Sequence, residues 1–207
     1  MKRYLFFVFC FLLISHVAAL GQRPVSEVKQ MVEQINQTAA TIHTLSCDFT
    51  QTKVIRLLKE PIVSKGHFSY TDREQLRWEY KQPYPYCLII NGQHIRIVSD
   101  SQNQTIDMER SSVAKRIAQL IMKGAKGKFL DDQQNFAVEM YVEGNVWKAV
   151  LTPKQNKMKR LFVKADIVFD TKQQMMTGMT LYEKSGDKTV ITLSNIRKNI
   201  ALDASMF

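Results

Sequence analysis

The side chains with the plainest chemical use lie between Gly66 and Gly92, and that use is apolar binding. The segment runs Gly66-His-Phe-Ser-Tyr70, then Leu76-Arg-Trp-Glu-Tyr80, then Pro83-Tyr-Pro-Tyr-Cys-Leu-Ile-Ile90-Asn-Gly92. Each piece reads as a β-strand. Phe68 and Tyr70, and then Leu76, Trp78 and Tyr80, fall on alternate positions, and residues of one parity share one face of a strand. Arg77 and Glu79 hold the opposite parity and make a solvated face. A sheet with one wet side and one broad aromatic side needs a cover, either the chain's own helices or a ligand. A filled hydrophobic core and an open apolar cavity both satisfy that pattern.

Residues capable of proton or group transfer are present without a constellation. His43, His67 and His94 stand in no His-Glu-x-x-His pattern and read as surface or strand residues. There is no Gly-x-Ser-x-Gly elbow and no glycine-rich phosphate loop. The acidic pairs Asp131-Asp132 and Asp107 with Glu109 read as a loop and a solvated strand end. The expectation is a protein that is not an enzyme and takes no metal or cofactor. Cys47 and Cys87 fall in strands and admit two readings: small buried hydrophobes, or a disulfide that an exported compartment would permit.

The elements that must position these residues begin after a leader. Lys2 and Arg3 precede an apolar run over residues 4–14, and small residues follow at Ala18, Ala19 and Gly21. This is the n-, h- and c-region pattern of a secretory signal peptide, expected over residues 1–21. The run is too short to span a bilayer. Cys10 follows Phe9, not a small residue, so no lipidation site is expected there. A soluble, exported protein is the expectation. The 207-residue chain carries a net charge of +10, about +8 without Lys2 and Arg3. Inside a cell that charge would raise nucleic acid as a partner. Export argues against it, and the scattered basic residues suit either ordinary solubility or attraction to an anionic surface such as a headgroup layer.

The rest reads as one domain over residues 22–207. Val25, Val28, Met31, Val32, Ile35, Ala39 and Ile42 recur at helical spacing. Strands are expected at 45–55, 64–70, 76–80, 86–91, 94–99 and 104–108, with Asn91-Gly92 as a hairpin signal. A second helix over 112–123 carries the stripe Val113, Ile117, Leu120 and Ile121, and Gly124 can close it. A loop follows to residue 134. Five more strands are expected at 136–142, 146–152, 161–169, 175–183 and 189–196. The fold class is therefore α+β: ten or eleven short strands in one antiparallel meander, strongly curved, with helices over the concave side.

At this point the sequence resembles the periplasmic outer-membrane lipoprotein carrier family, of LolA type. The matching features run in order: Phe49-Thr-Gln51, Gly66 with Phe68, Leu76-Arg-Trp-Glu-Tyr80, Pro83, Ile89-Ile-Asn-Gly92, Leu151-Thr-Pro-Lys154, Phe169-Asp170, Met179 with Leu181, Thr189, and then Asn199, Asp203 and Phe207. The resemblance implies an incomplete β-barrel whose open side is covered by a helical lid. It implies a monomeric periplasmic carrier that takes acylated lipoproteins from an inner-membrane ABC-type exporter, shields their acyl chains, and passes them to an outer-membrane acceptor, either a protein or the membrane surface. Under it, Phe49, Phe68, Tyr70, Leu76, Trp78, Tyr80, Leu88, Ile90, Met140 and Met179 are expected to line the acyl-chain cavity. Ile117, Leu120 and Ile121 are expected in the lid, with Arg73 beside Asp72 as the residue that latches it. Two other readings fit the same half-barrel: an envelope sensor that binds lipid or peptide, and a carrier of a different acyl lipid.

Overall fold

The computed structural model describes residues 25–100, 102–108 and 129–207. The leader at 1–21 and the helix expected over 112–123, with Ile117, Leu120 and Ile121, lie outside the described residues. Helix α1 spans Val25–Ala40. Eleven strands follow among the described residues: β1 Thr44–Val54, β2 Ile62–Thr71, β3 Gln75–Gln82, β4 Tyr86–Asn91, β5 His94–Ser99, β6 Gln102–Asp107, β7 Phe136–Glu143, β8 Val146–Pro153, β9 Lys164–Asp170, β10 Met175–Tyr182 and β11 Lys188–Lys198. A one-turn helix, α2 at Asn156–Lys159, and a terminal 3₁₀ turn at Ala204–Met206 were not foreseen. Both are too short to show a periodic stripe.

All strands join one antiparallel sheet in the order β6-β5-β4-β3-β2-β1-β11-β10-β9-β8-β7. The expected single meander is corrected to two. One runs outward from β1 to β6. The other runs inward from β7 to β11, and the first and last strands pair at the centre, from Leu45 opposite Lys198 to Val54 opposite Lys188. Consequently, among the described residues, β6 and β7 are the two free edges of the sheet. As the described residues form it, the barrel is left open there. Register shifts on the β1–β11 pair between Ser46 and Asp48, where Asn195 takes φ 51°. Such a bulge adds local twist to the central pair.

The sheet curls so that its two halves face each other. Phe49 and Trp78 from one half and Leu151 and Phe169 from the other line a single cavity. The apolar stripe of α1 lies over this concave side: Met31 and Ile35 pack with Phe136, Met140 and Ile167, while Ile35 and Ala39, with Ile42 just after the helix, reach the cavity. Thr38 Oγ1 lies 2.8 Å from Gln174 Oε1, and Asn36 Nδ2 donates to Asp131 at 2.7 Å, tying the helix to the sheet's turns.

Candidate functional site

Strand register arranges the inward side chains of the first half in three cross-strand rows. Leu45, Tyr70, Leu76, Ile90 and Ile95 form the lowest row, Cys47, Phe68, Trp78, Leu88 and Ile97 the middle row, and Phe49, Gly66, Tyr80 and Tyr86 the upper row. Gly66 is the key to the upper row. A Cβ there would collide with the Glu79 carbonyl and the Phe49 ring. Its bare backbone lets the Phe49 ring lie across β2 and reach Trp78 at 5.2 Å and Tyr80 at 5.0 Å between centroids. Phe68 meets Trp78 edge-on at 5.5 Å, and Tyr80 stacks on Tyr86 at 4.3 Å.

These rows wall a cavity of about 410 Å³, a size in the range of small-molecule and cofactor sites. Its lining is apolar save for Gln51, Gln174 and Thr189. Of the residues expected there, Phe49, Phe68, Trp78, Tyr80, Leu88 and Met179 line it. Tyr70, Leu76, Ile90 and Met140 do not; they are solid core, 2, 0, 1 and 2 % exposed. Parity placed the first three on the correct face, but they occupy the lowest row, where Ile95 and Met108 fill the space. Met140 is packed against Ala149 and Ile167 near the β7 edge. Arg73 lies exposed in the β2–β3 turn, with no lid residue described beside it.

Sequence reasoning missed the second half of the wall. Phe129, Phe136, Leu151, Phe162, Ala165 and Phe169 line the cavity, as do Met176, Leu181 and Met175, the last a candidate already by its apolar parity. Their alternation was readable, yet nothing in it told that β8 and β9 face β3 across the hollow. Of the helices expected over the concave side, α1 supplies Ile35 and Ala39 to the lining, and Ile42 just beyond its end joins them.

The polar atoms of the wall cluster at its upper end. Tyr80 Oη donates to Gln51 Oε1 at 2.8 Å. Burial, then the neighbouring Tyr86, raises the Tyr80 phenol far above its ordinary value, so it remains a neutral donor. Cys47, on the inward face, is likewise pushed up to about 12 by burial and then Asp48. Cys87 is raised to about 11 by burial. Both are free thiols. They sit on opposite faces, and three strand spacings of about 4.8 Å each separate β1 from β4, beyond disulfide reach.

On the convex face, folding assembles a row that no local motif announces. Ser46 Oγ stands 3.0 Å from His67 Nε2, and His67 Nδ1 stands 2.7 Å from Asp48 Oδ1. Asn195 donates to the other Asp48 oxygen at 2.7 Å. The connectivity is that of a nucleophile–base–acid relay. Ser46 is only 2 % exposed, which leaves no approach to its Oγ, and the row pins β2, β1 and β11 together. Among the described residues no group of three His, Cys, Asp or Glu is placed to hold a metal ion.

An unclosed eleven-stranded barrel with a helix over an aromatic hollow can be compared with known proteins. The profile of the family described as outer membrane lipoprotein carrier protein LolA matches residues 40–207. The chain belongs to this family. Among relatives, an outer-membrane lipoprotein carrier protein of Dechloromonas aromatica is 26 % identical over 96 % of this chain and 88 % of its own length. One of Methylococcus capsulatus is 28 % identical over 79 % and 76 %. Among solved structures, an uncharacterized conserved protein from Thermus thermophilus shares the fold with a TM-score of 0.53 at 8 % identity, covering 87 % of this chain and 92 % of that one. MucB does so with a TM-score of 0.53 at 9 % identity, covering 87 % and 62 %. Membership of the family agrees with the curved antiparallel sheet, and the relatives matched over most of their length are named as lipoprotein carriers.

Proposed function

We propose that the protein is a periplasmic carrier that encloses the acyl chains of lipoproteins and moves them from the inner to the outer membrane. It acts as a monomer, loaded by an inner-membrane ABC-type exporter and unloaded at an outer-membrane acceptor. The observation that carries the reading is the apolar hollow of about 410 Å³ walled by Phe49, Phe68, Trp78 and Leu88 beneath α1. Exposing one methylene to water costs about 0.8 kcal/mol, so a sixteen-carbon chain costs on the order of 12 kcal/mol. An acylated protein therefore crosses an aqueous compartment only inside a sheath. Rings give the wall area, and Met175, Met176 and Met179 give it a surface that conforms to a flexible chain. A cover that packs into the empty hollow competes with the acyl chains and keeps the complex weak enough to unload. The role needs no catalytic group, metal or cofactor.

The deciding experiment is mass spectrometry of what the natively purified protein holds, paired with depletion in the cell. Bound triacylated lipoprotein, and lipoproteins stranded at the inner membrane on depletion, are the expected results. Normal lipoprotein sorting after depletion would falsify the proposal, and a different acyl lipid in the spectrum would change the cargo.

A further inference from the structure

The exposed apolar residues of this protein are not scattered. Among the described residues the large ones more than a third exposed are Leu57, Leu58, Ile62, Val63, Tyr84, Tyr86, Leu161 and Val163. Strand direction puts all of them at one end of the barrel. Leu57 and Leu58 are in the β1–β2 connection, with Ile62 and Val63 opening β2. Tyr84 lies in the β3–β4 turn and Tyr86 opens β4. Leu161 and Val163 lie in the β8–β9 connection. None of them lies at the opposite end, whose turns carry Asp72, Arg73, Glu74 and Lys172.

The cavity reaches this same end. Tyr86 lines it while 40 % exposed, and so does Phe162, between exposed Leu161 and Val163. Cations stand among the apolar tips: Arg56 and Lys59 beside Leu57, Lys159 and Arg160 beside Leu161, and Lys184 in the β10–β11 turn are all exposed. Of the acids at this end, Glu183 is paired with Lys53 at 3.2 Å and Asp187 accepts the Arg56 backbone N–H at 2.9 Å. Glu60 and Asp100 also stand in these turns, and Asp131 and Asp132, which precede β7 at the same end, accept hydrogen bonds from Asn36 and Asn135 at 2.7 Å.

We propose that this end docks on an anionic phospholipid bilayer, with Leu57, Leu58 and Tyr84 entering the headgroup layer around the cavity mouth. Three features favour a bilayer over a protein surface. The apolar groups are separate tips on different hairpins, Leu57 standing 94 % exposed, where a protein interface wants a contiguous desolvated centre. Lys and Arg are interleaved with them; Lys is depleted in protein–protein interfaces, whereas cations are drawn to anionic headgroups. Tyr84 and Tyr86 have the amphipathic form that settles at a headgroup boundary. The delivery role rests on the carrier reading above: an acyl chain leaving a mouth seated on lipid passes into the bilayer without crossing water.

The test is vesicle flotation of the mature, full-length protein with phosphatidylglycerol-rich vesicles and with pure phosphatidylcholine vesicles, alongside uptake of a fluorescent fatty-acyl probe. The protein is expected to float with the anionic vesicles and to lose binding in high salt. The double variant Leu57→Ser, Leu58→Ser should bind them about tenfold more weakly, with melting temperature and probe uptake unchanged, since neither side chain is buried. Lys159→Glu with Arg160→Glu should weaken binding to anionic vesicles and leave probe uptake alone. The proposal is overturned if the wild type ignores anionic vesicles, if it binds neutral ones equally, or if the Leu57, Leu58 variant floats as well as the wild type. Loss of delivery to a purified acceptor protein without any vesicle binding makes the end a protein-docking surface and equally overturns it. Failed flotation with intact probe uptake removes the docking surface and leaves the carrier; failed uptake with intact flotation removes the carrier and leaves the surface.

Discussion

Gly66 shows how one residue can set the shape of a binding wall. Replacing it with Ala puts a methyl group against the Glu79 carbonyl and the Phe49 ring. Because one of those obstacles is backbone, the strand pair itself must shift. Gly66→Ala is expected to destabilise by about 2 kcal/mol or more, read by denaturant unfolding, and to lower acyl-probe affinity by displacing Phe49. Trp78 makes the opposite contrast. Truncating a buried Trp in a close-packed core costs about 3–5 kcal/mol, but Trp78 is only half-buried and borders an existing hollow. Trp78→Ala should therefore cost less than that in stability while weakening acyl binding tenfold or more. A collapsed melt with unchanged binding per folded molecule would make Trp78 ordinary core. The cysteines give a chemical readout. With thiols raised to about 12 and about 11 by burial, neither should react with a thiol reagent at about pH 8 in the native protein, and both should react after denaturation.

At the scale of elements, α1 and β1 differ in how they are held. β1 is bonded along both edges, to β2 and to β11. α1 offers one apolar stripe and a few polar ties, Asn36 to Asp131 and Thr38 to Gln174. Elements with few buried contacts open at lower free energy. Amide exchange in α1 should be faster than in β1 by well over an order of magnitude. Exchange of α1 only through global unfolding would mean a cover that cannot move, and would count against the carrier reading. The convex row joining β2, β1 and β11 adds a pH dependence. Asn195, then His67, holds the Asp48 carboxyl below its ordinary 3.8. The sign follows: a depressed folded-state pKa stabilises above 3.8 and the gain is lost as pH falls through the lower folded value. Asp48 is 44 % exposed, so solvent screens the effect to a modest size. Asp48→Asn should melt below the wild type at neutral pH, and the gap should narrow once the pH drops under 3.8.

For the whole molecule, the consequence of the topology is a barrel with a seam. Pairing the first strand with the last puts the chain's midpoint at the opening, between β6 and β7. Such a sheet can widen without breaking a ladder hydrogen bond, as the proposed carrier role requires. Binding only to the folded state stabilises it by mass action, about 2.7 kcal/mol at a hundredfold excess over Kd. Saturating acyl ligand should thus raise the melting temperature by several degrees, and the rise should be absent in a variant such as Phe49→Asp that places a charge on the wall.

The sequence by itself determined the alternation of β1 to β11, the stripe of α1, the wet face at Arg77 and Glu79, and the ordered residues that mark the family. These are local patterns, fixed by the two periods of backbone geometry. It also gave the face on which Tyr70, Leu76 and Ile90 lie, because parity is a property of one strand. Depth along that face was decided only by folding: a row becomes wall or filling according to what the opposite strands, the helix and residues such as Met108 bring to it. The pairing of β1 with β11, the hollow shared by Trp78 and Phe169, the Ser46–His67–Asp48 row and the gathering of Leu57, Tyr84 and Leu161 at one end are all contacts between residues distant in the chain. No spacing records such contacts, because they arise from how the sheet curls and where its two edges stop.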